Sequence, residues 1–455
     1  MHKSVTEQVK NVQSKKVAKG QTPKLFWWQL SLIGIGSVIG AGFFLGSGLA
    51  IHAAGPSVLV GYILSGLIAF FVFQALGKMT VHDPQPGSFR TYARQAFGHS
   101  LGFMSGWIYW IAGVLIMSSE VTALAIFSQL WFPHIPLWVF AILYSALALL
   151  INMLGVKNFG SIESFFAVIK IATLLAFVGF GTLALTGVVT PTAPKEMLSS
   201  FSAPFFANGF LGFWSSLIFV LFSYGGIEVV GVLANELKRK TDITKAGTFL
   251  VVVLTSLYAV SIFFILKLVS FESISSDQSP FVYVLSHFSI PYLDSLFNVI
   301  LISAAFSTMV GALFSITSIM ISLSLDGDAP ASLHKPNQHG VAWRALFLSG
   351  IGLAVTVVAS YVLPNTVYEY LTAAAGIMLL LNWVIILSSH IKKGRELEHS
   401  TPLPSFLGIA LIVFTIAGSL IHSHQRIGFF IAIGFAFLIL CAYGWRARKG
   451  SYNKL

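Results

Sequence analysis

Apolar stretches long enough to cross a lipid bilayer recur along the whole chain, and they constrain its fold more than any other feature. A transmembrane helix needs about 20 predominantly apolar residues. Such stretches start near Trp27, Pro56, Leu101, Pro136, Ser161, Gly209, Thr244, Pro291, Ala342, Thr366, Leu403 and Arg426. Only 9% of the 455 residues are charged, against about 25% in a soluble domain. The sequence therefore predicts an all-α polytopic membrane protein with twelve transmembrane helices.

The distribution of lysine and arginine predicts the orientation of these helices. When the polar gaps are assigned alternately to the two sides of the membrane, 23 of the 27 basic residues fall on one side. An excess of Lys and Arg marks cytoplasmic segments, so an even number of spans places both termini in the cytoplasm. The net charge of +11 therefore reflects membrane topology, and no nucleic-acid partner is expected. We expect a multi-pass protein of the bacterial plasma membrane, with the lipid bilayer as its surroundings.

The gaps between the spans leave no room for a soluble domain. The longest gaps lie around 78–100, 190–208 and 325–341, and residues 1–24 and 447–455 are predicted to be cytoplasmic tails, the first of them disordered. The single cysteine, Cys441, excludes an internal disulfide and a Cys-based zinc cluster. No metal site and no cofactor are expected, and the sequence gives no indication of the oligomeric state.

Two glycine clusters interrupt apolar spans at mid-membrane depth. The first span holds four glycines within the nine residues from Gly34 to Gly42, and the sixth places a Gly-Gly pair beside Glu228. The first cluster does not match the Gly-x-Gly-x-x-Gly dinucleotide fingerprint, and it lies in an apolar span without a βαβ unit. Two interpretations remain, namely close helix packing through Gly36 and Gly40 or an unwound segment that lines a substrate site.

The location of the two clusters, in spans one and six, favours unwound segments. Paired breaks at corresponding positions of two five-span halves are the expected sequence trace of an inverted-repeat transporter. Backbone that leaves a helix cannot face lipid, so it must line a polar cavity. Half-helix N-termini there offer amides to an anion, and half-helix C-termini offer carbonyls to a cation. A zwitterion such as an α-amino acid fits both ends.

Three ionisable side chains lie deep within the predicted spans, namely Glu120, Lys170 and Glu228. An ionisable group at such depth is a functional-site hypothesis, and we assign all three to proton coupling. Each also has a structural interpretation. Glu120 could pack between helices, Lys170 could extend its stem to the interface, and Glu228 could cap the unwound segment.

A lysine near the first-span break has a specific use. Its ammonium can occupy the place of the sodium ion in sodium-coupled transporters of this architecture, gaining and losing a proton instead. A sodium site would need hydroxyl groups in span eight, and Ser303, Ser307 and Thr308 are present there. Such hydroxyls also serve as hydrogen-bond donors between membrane helices. Proton coupling is therefore our first hypothesis, with sodium symport as an alternative.

At these residues the chain resembles the amino acid transporter family of the amino acid–polyamine–organocation superfamily, from about Leu25 to Pro330. Besides the first-span glycines, the matching motifs are Phe43-Phe44, Gly87-Ser88-Phe89, Tyr92-Ala93, Gly102-Phe103, Gly106-Trp107-Ile108-Tyr109-Trp110, Gly155-Val156-Lys157, Phe159-Gly160, Glu163, Phe165, Ile169-Lys170-Ile171, Gly226-Ile227-Glu228, Glu236 and Gly327-Asp328-Ala329-Pro330. The chain departs from the family pattern at Val310, Ser318 and Ala342, where members often carry Asn, Arg and Pro.

The resemblance implies a LeuT-like broken-helix fold with a five-plus-five inverted repeat. The first repeat would span 25–187 and the second 209–391, and two further helices would follow within 403–446. The substrate carboxylate would bind the amides of Gly40, Ala41 and Gly42, and its ammonium the carbonyls near Val38, Phe222 and Gly225. The expected substrate-binding residues are Val38, Ile39, Gly40, Ala41, Gly42, Phe222, Ser223, Tyr224, Gly225 and Gly226.

The function expected on these grounds is import of neutral L-amino acids by proton symport with alternating access, so the partners are an amino acid and protons. Sodium symport or amino-acid exchange on the same fold is the alternative within transport. A polytopic membrane enzyme is the rival of another class, but it would need a constellation such as His-Glu-x-x-His, which the sequence lacks. An ATP-driven pump would need a phosphate-binding Gly-x-x-x-x-Gly-Lys-Ser/Thr loop, which is also missing.

Overall fold

The computed structural model describes residues 25–85, 87–154, 159–192, 201, 203–275, 277–336, 341–364, 366–394 and 401–448. The two predicted tails, 1–24 and 447–455, lie outside these residues except for positions 447 and 448. The same holds for the motif residues Gly155, Val156 and Lys157.

The described chain folds into seventeen α-helices and four short 3₁₀ segments. The helices are α1 (Trp27–Val38), α2 (Ala41–Phe44), α3 (Gly46–Ala54), α4 (Val58–His82), α5 (Ser88–Phe97), α6 (His99–Gln129), α7 (Leu137–Leu154), α8 (Phe159–Leu185), α9 (Gly209–Phe222), α10 (Val229–Leu233), α11 (Asp242–Leu268), α12 (Pro280–Ser286), α13 (Leu293–Leu325), α14 (Trp343–Val362), α15 (Val367–Lys393), α16 (Leu403–Gly418) and α17 (Ser423–Arg448). The 3₁₀ segments are Gly55–Ser57, Ala234–Glu236, Phe271–Ser273 and Ala331–Leu333.

The helix starts agree with the apolar pattern, and the all-helical class is confirmed. Each of the twelve predicted starts lies within three residues of an observed helix start. Nine helical stretches of the described residues are long and apolar enough to cross a membrane, one of them the continuous run Ala41–His82, and Gly209–Phe222 and Leu403–Gly418 are shorter apolar helices. The count of twelve crossings therefore stays a prediction.

Two helices form the centre of the bundle and the others surround it. Within an apolar stretch of 18 residues, 78% is buried in α6 and in α15, whereas only 17% is buried in α17 and 28% in α8. The peripheral helices expose large apolar side chains such as Phe165, Phe347 and Phe430. Serine and threonine side chains are buried between the helices. An apolar exterior around buried polar groups is the arrangement that a lipid environment favours.

Contacts between chain segments distinguish the two ends of the bundle. At one end Leu25 pairs with the segment after α10, donating its N–H to Glu236 O at 3.1 Å and accepting from Lys238 N–H at 3.0 Å. We call this end the basic face because basic residues lie there, near helix ends or in the segments that join helices. They are Lys78, Arg90, Arg94, Lys238, Arg239, Lys240, Lys245, Arg344, Lys392, Lys393, Arg446 and Arg448. At the opposite face Asn208 donates to His52 O at 2.9 Å.

Helix α5 occupies the gap around 78–100, for which the sequence analysis predicted no element. Its buried face carries Phe89, Tyr92 and Arg90. The Arg90 guanidinium lies 2.8 Å from an Asp326 oxygen and 2.6 Å from an Asp328 oxygen, just beyond α13. The helix is therefore fastened to the end of α13 at the basic face.

Close packing of α11 against α4 gives a stability prediction. A Cβ added at Gly247 would lie 1.7 Å from a Phe73 ring atom, whereas nothing lies within 4 Å of a Cβ at Gly434. Gly247→Ala should lower the free energy of unfolding by about 1–3 kcal/mol, the usual penalty of overpacking. Gly434→Ala, an exposed helical position, should leave it unchanged or raise it slightly. Thermal unfolding in detergent measures both, and an equal response of the two variants would contradict this packing.

Candidate functional site

The first apolar span is broken at Ile39 and Gly40. Helix α1 ends at Val38, and both following residues have extended backbone, with φ of −72° at Ile39 and −146° at Gly40. Helix α2 begins at Ala41, so the peptide groups around the break lack the partners that a continuous helix would supply.

The sixth span is broken between Phe222 and Val229. Its turn contains Gly226 with φ of +106°, a conformation that glycine adopts without the steric penalty of a side chain. The two breaks touch each other, because a Cβ at Gly226 would lie 2.9 Å from Ser37 O. The Ser223 hydroxyl also donates to Gly42 O at 2.9 Å. The two glycine clusters therefore meet, as the unwound-segment interpretation requires.

A cavity of about 60 Å³ lies against both breaks. Its lining residues are Ser37, Val38, Gly42, Tyr109, Gly113, Ile116, Glu120, Glu163, Phe222, Gly225, Gly226, Glu228, Val229, Thr308, Gly311, Ala312, Ser315 and Ile316. Three of these residues indicate the direction of the cavity. Ser37 lies between Gly42 and the basic-face end of α1, Val229 begins α10, which leads to the basic face, and Ser315 lies in the half of α13 that ends at the basic face. The cavity therefore extends from the breaks toward the basic face.

Aromatic rings close the other side of the breaks. The Phe43 ring stacks on Tyr258 with centroids 3.7 Å apart, and Phe281 lies 5.4 Å from both Phe43 and Phe44. These four side chains are fully buried. They separate the cavity from the opposite face.

Glu120 on α6 binds the first break directly. The Ala41 N–H donates to its two carboxylate oxygens at 3.1 and 3.0 Å. The side chain is 2% exposed, and a Cβ at Gly40 would lie 2.5 Å from Oε1. The carboxylate therefore lies flat against the unwound backbone.

Lys170 on α8 connects the first break with α13. Its Nζ donates to Gly36 O at 2.6 Å and to the Thr308 hydroxyl at 2.9 Å. The Thr308 hydroxyl in turn donates to Ile39 O at 3.2 Å. Lys170 is fully buried, so its ammonium does not extend to the membrane interface.

Glu228 and Phe222 point to the cavity, whereas Tyr224 points away from it. Glu228 lines the cavity and accepts from Trp383 Nε1 at 3.4 Å. Phe222 also lines the cavity. Tyr224 instead points between α4 and α11, where its hydroxyl donates to Tyr62 O at 2.9 Å.

The structure gathers the predicted binding residues around the two breaks and divides them into two groups. The cavity-lining group consists of Val38, Gly42, Phe222, Gly225 and Gly226. The second group is buried and does not line the cavity; its members are Ile39, Gly40, Ala41, Ser223 and Tyr224.

Glu163 joins this site, although the sequence analysis used it only as a motif residue. One of its oxygens lies 3.6 Å from Lys170 Nζ, and the other accepts from the Ser307 hydroxyl at 3.2 Å. Glu163 and Lys170 are seven residues apart, two turns along one face of α8. That spacing of opposite charges within an apolar span was the available sequence signal.

The comparison with protein families finds amino acid permeases. The family model described as "Amino acid permease" matches residues 29–444. The uncharacterized transporter YcgH of Bacillus subtilis is 40% identical over 92% of this chain and 95% of its own length. The amino-acid permease AapA of the same organism is 30% identical over 96% and 97%. The aromatic amino acid transport protein AroP of Escherichia coli is 32% identical over 83% of each chain.

Solved structures agree on the fold. A manganese transporter mutant from Eremococcus coleocola superposes with a TM-score of 0.59 at 13% identity, covering 92% of this chain and 93% of that one. The LeuT-like class is thereby confirmed. Within the part of the chain that the structure describes, no group of three His, Cys, Asp or Glu side chains is placed to hold a metal ion.

The buried Lys170–Glu163 pair predicts non-additive stability effects. Glu163→Gln and Lys170→Met each leave one buried charge without its partner, so each should lower the free energy of unfolding by about 3–5 kcal/mol. The double variant should lose less than the sum of the two. The exposed Glu369–His424 pair, 2.9 Å apart, provides the control, since Glu369→Gln should change stability by about 1 kcal/mol or less. Thermal unfolding in detergent measures all four variants; additive losses would contradict direct pairing.

Proposed function

This chain belongs to the amino acid permease family, and we propose that it imports neutral L-amino acids by proton symport with alternating access. Members of this family are transporters and not enzymes, and the bacterial relatives agree with a multi-pass membrane protein. The substrate class, the coupling ion and the direction of transport are the proposed parts.

We assign the basic face to the cytoplasm because Lys and Arg accumulate on cytoplasmic segments. The cavity then extends from the helix breaks toward the cytoplasm, and the aromatic cluster formed by Phe43, Phe44, Tyr258 and Phe281 closes the outer side. In alternating access, this arrangement corresponds to a conformation that is closed to the outside. Import would require these rings to separate and the cytoplasmic side of the cavity to close.

The substrate would bind where the two breaks meet. The half-helix that begins at Ala41 offers its N-terminal amides to a carboxylate, and the carbonyls before the breaks at Val38 and Phe222 offer acceptors to an ammonium. The cavity reaches Val38, Gly42 and Phe222. An α-amino acid carries both groups on adjacent atoms, which fits this arrangement.

A neutral substrate side chain is favoured by the partners of the cavity carboxylates. Glu120 accepts from Ala41, Glu163 lies next to Lys170, and Glu228 accepts from Trp383. Each carboxylate thus has a protein partner, so a basic substrate would have to break one of these contacts. Aromatic amino acids belong in the test because the relatives include an aromatic amino acid transporter.

The contacts of Lys170 carry the assignment of proton coupling. Its ammonium lies between a carbonyl of the broken first helix and the Thr308 hydroxyl, 2.6 and 2.9 Å away, so a protein cation already occupies the position between α1 and α13. Loss of its proton would remove the charge that joins these helices, and their separation would accompany the conformational change.

Uptake into proteoliposomes tests the proposal directly. A mixture of labelled neutral and aromatic amino acids is presented under an inward proton gradient, an inward sodium gradient, or no gradient. Accumulation with the proton gradient alone is expected. Dependence on sodium would contradict proton symport, and exchange without accumulation would indicate an antiporter.

Lys170→Ala in the same assay should abolish accumulation driven by the proton gradient. Lys267→Ala is the matched control. Lys267 lies near the end of α11 that is opposite the basic face, and its ammonium lies over the Phe201 ring at 4.4 Å. The control should accumulate substrate as the wild type does. Full accumulation by Lys170→Ala would show that the lysine has only a structural role.

Gly42→Leu should abolish substrate binding while leaving the protein folded. Even a Cβ at this position would lie 3.0 Å from the Phe222 ring, and the rest of a leucine side chain would fill the cavity that reaches Gly42. Scintillation proximity binding on purified protein measures the loss, with Gly434→Leu as the control at an open position. Binding by Gly42→Leu at wild-type affinity would exclude this cavity as the substrate site.

A further inference from the structure

The amide that the substrate carboxylate should bind is already bound to a carboxylate of the protein. Both oxygens of Glu120 lie 3.0–3.1 Å from the Ala41 nitrogen. Glu120 is on α6, 79 residues away along the chain, and it is 2% exposed. The contact therefore joins two separate helices deep within the bundle.

This contact reproduces the chemistry expected of the substrate. A carboxylate beside the first amide of a half-helix interacts with the positive end of the helix dipole and with an N–H that has no partner within the helix. Glu120 also lines the cavity, as a bound substrate carboxylate would. The Ala41 amide therefore has an anionic partner that the protein itself supplies.

We propose that the Glu120 carboxylate occupies the position of the substrate carboxylate at the Ala41 amide and competes with it for this amide. The inference rests on the proposed function, since it assumes an amino acid substrate bound at the breaks. Two carboxylates cannot share one N–H donor without like-charge repulsion in a water-poor site. A substrate carboxylate therefore binds Ala41 only after Glu120 has moved away from it.

The competition reduces the contribution of the substrate carboxylate to affinity. An amino acid must displace Glu120, whereas the amine that lacks the carboxylate leaves Glu120 in place. In Glu120→Ala the amide is free, so the amino acid should bind more tightly while the amine does not. The ratio of the two affinities therefore isolates the proposed role from a general effect on folding.

The experiment compares L-phenylalanine with 2-phenylethylamine, and L-leucine with 3-methylbutylamine, by equilibrium binding to purified protein. In Glu120→Ala the preference for the amino acid over its amine should rise about tenfold or more, because charge-assisted hydrogen bonds are the strong ones. Glu120→Gln keeps a neutral acceptor and should give a smaller rise, which also tests the proposal if the alanine variant does not fold. Glu369→Gln removes an acid paired with His424 and should leave the ratio unchanged.

Acetate provides a second readout. It should inhibit amino acid binding to Glu120→Ala, where the amide is open to a small carboxylate, and should have little effect on the wild type. Equal losses for amino acid and amine in the variants would overturn the proposal, since they would indicate contact with the ammonium or a purely structural role. A fall in the preference for the amino acid would overturn it as well. If neither amino acid binds to the wild type or to the variants, the proposed function itself fails.

Discussion

The site depends on one constraint, namely that backbone released from a helix inside a membrane needs partners from the protein. Unpaired peptide groups in hydrocarbon are strongly unfavourable. Around the first break the partners come from different segments of the bundle: Glu120 binds the Ala41 amide, the Tyr368 hydroxyl donates to Ala41 O, the hydroxyl of Ser223, which directly follows α9, donates to Gly42 O, and Lys170 donates to Gly36 O. The broken segment therefore holds the centre of the bundle together. Any movement of this segment must change its contacts with α6, α8, α15 and the end of α9.

The same contacts connect the proposed binding site with the proposed proton site. Thr308 accepts from Lys170 and donates to Ile39 O, so one hydroxyl contacts both the lysine and the unwound backbone. A change in the charge of Lys170 would weaken its hold on Gly36 and Thr308 together. This is a short physical route from protonation to the position of α1, and it needs no contact between the substrate and the lysine.

Much of this arrangement was predictable from the sequence, and the exceptions have a common cause. Apolar length gave the helix starts, and glycine runs gave both breaks, because those signals are local. The side-chain partners were not predictable in the same way. That Glu120 points at Ala41, that Tyr224 points away from the cavity, and that Glu163 faces Lys170 depends on how each helix is rotated against its neighbours. Helix α5 was missed because its amphipathic pattern is short and lies in a polar gap.

The Glu120–Ala41 contact also bears on the choice between symport and exchange. A symporter must return to its starting conformation without substrate, and it does so more readily when the amides of the broken helix keep a partner. An exchanger has the opposite requirement, because an unpaired amide in the empty site would oppose the return and make transport depend on a second substrate molecule. A protein carboxylate that replaces the substrate carboxylate satisfies the empty site. On the proposal that Glu120 replaces the substrate carboxylate, we therefore expect net uptake rather than obligatory exchange, whichever cation supplies the driving force.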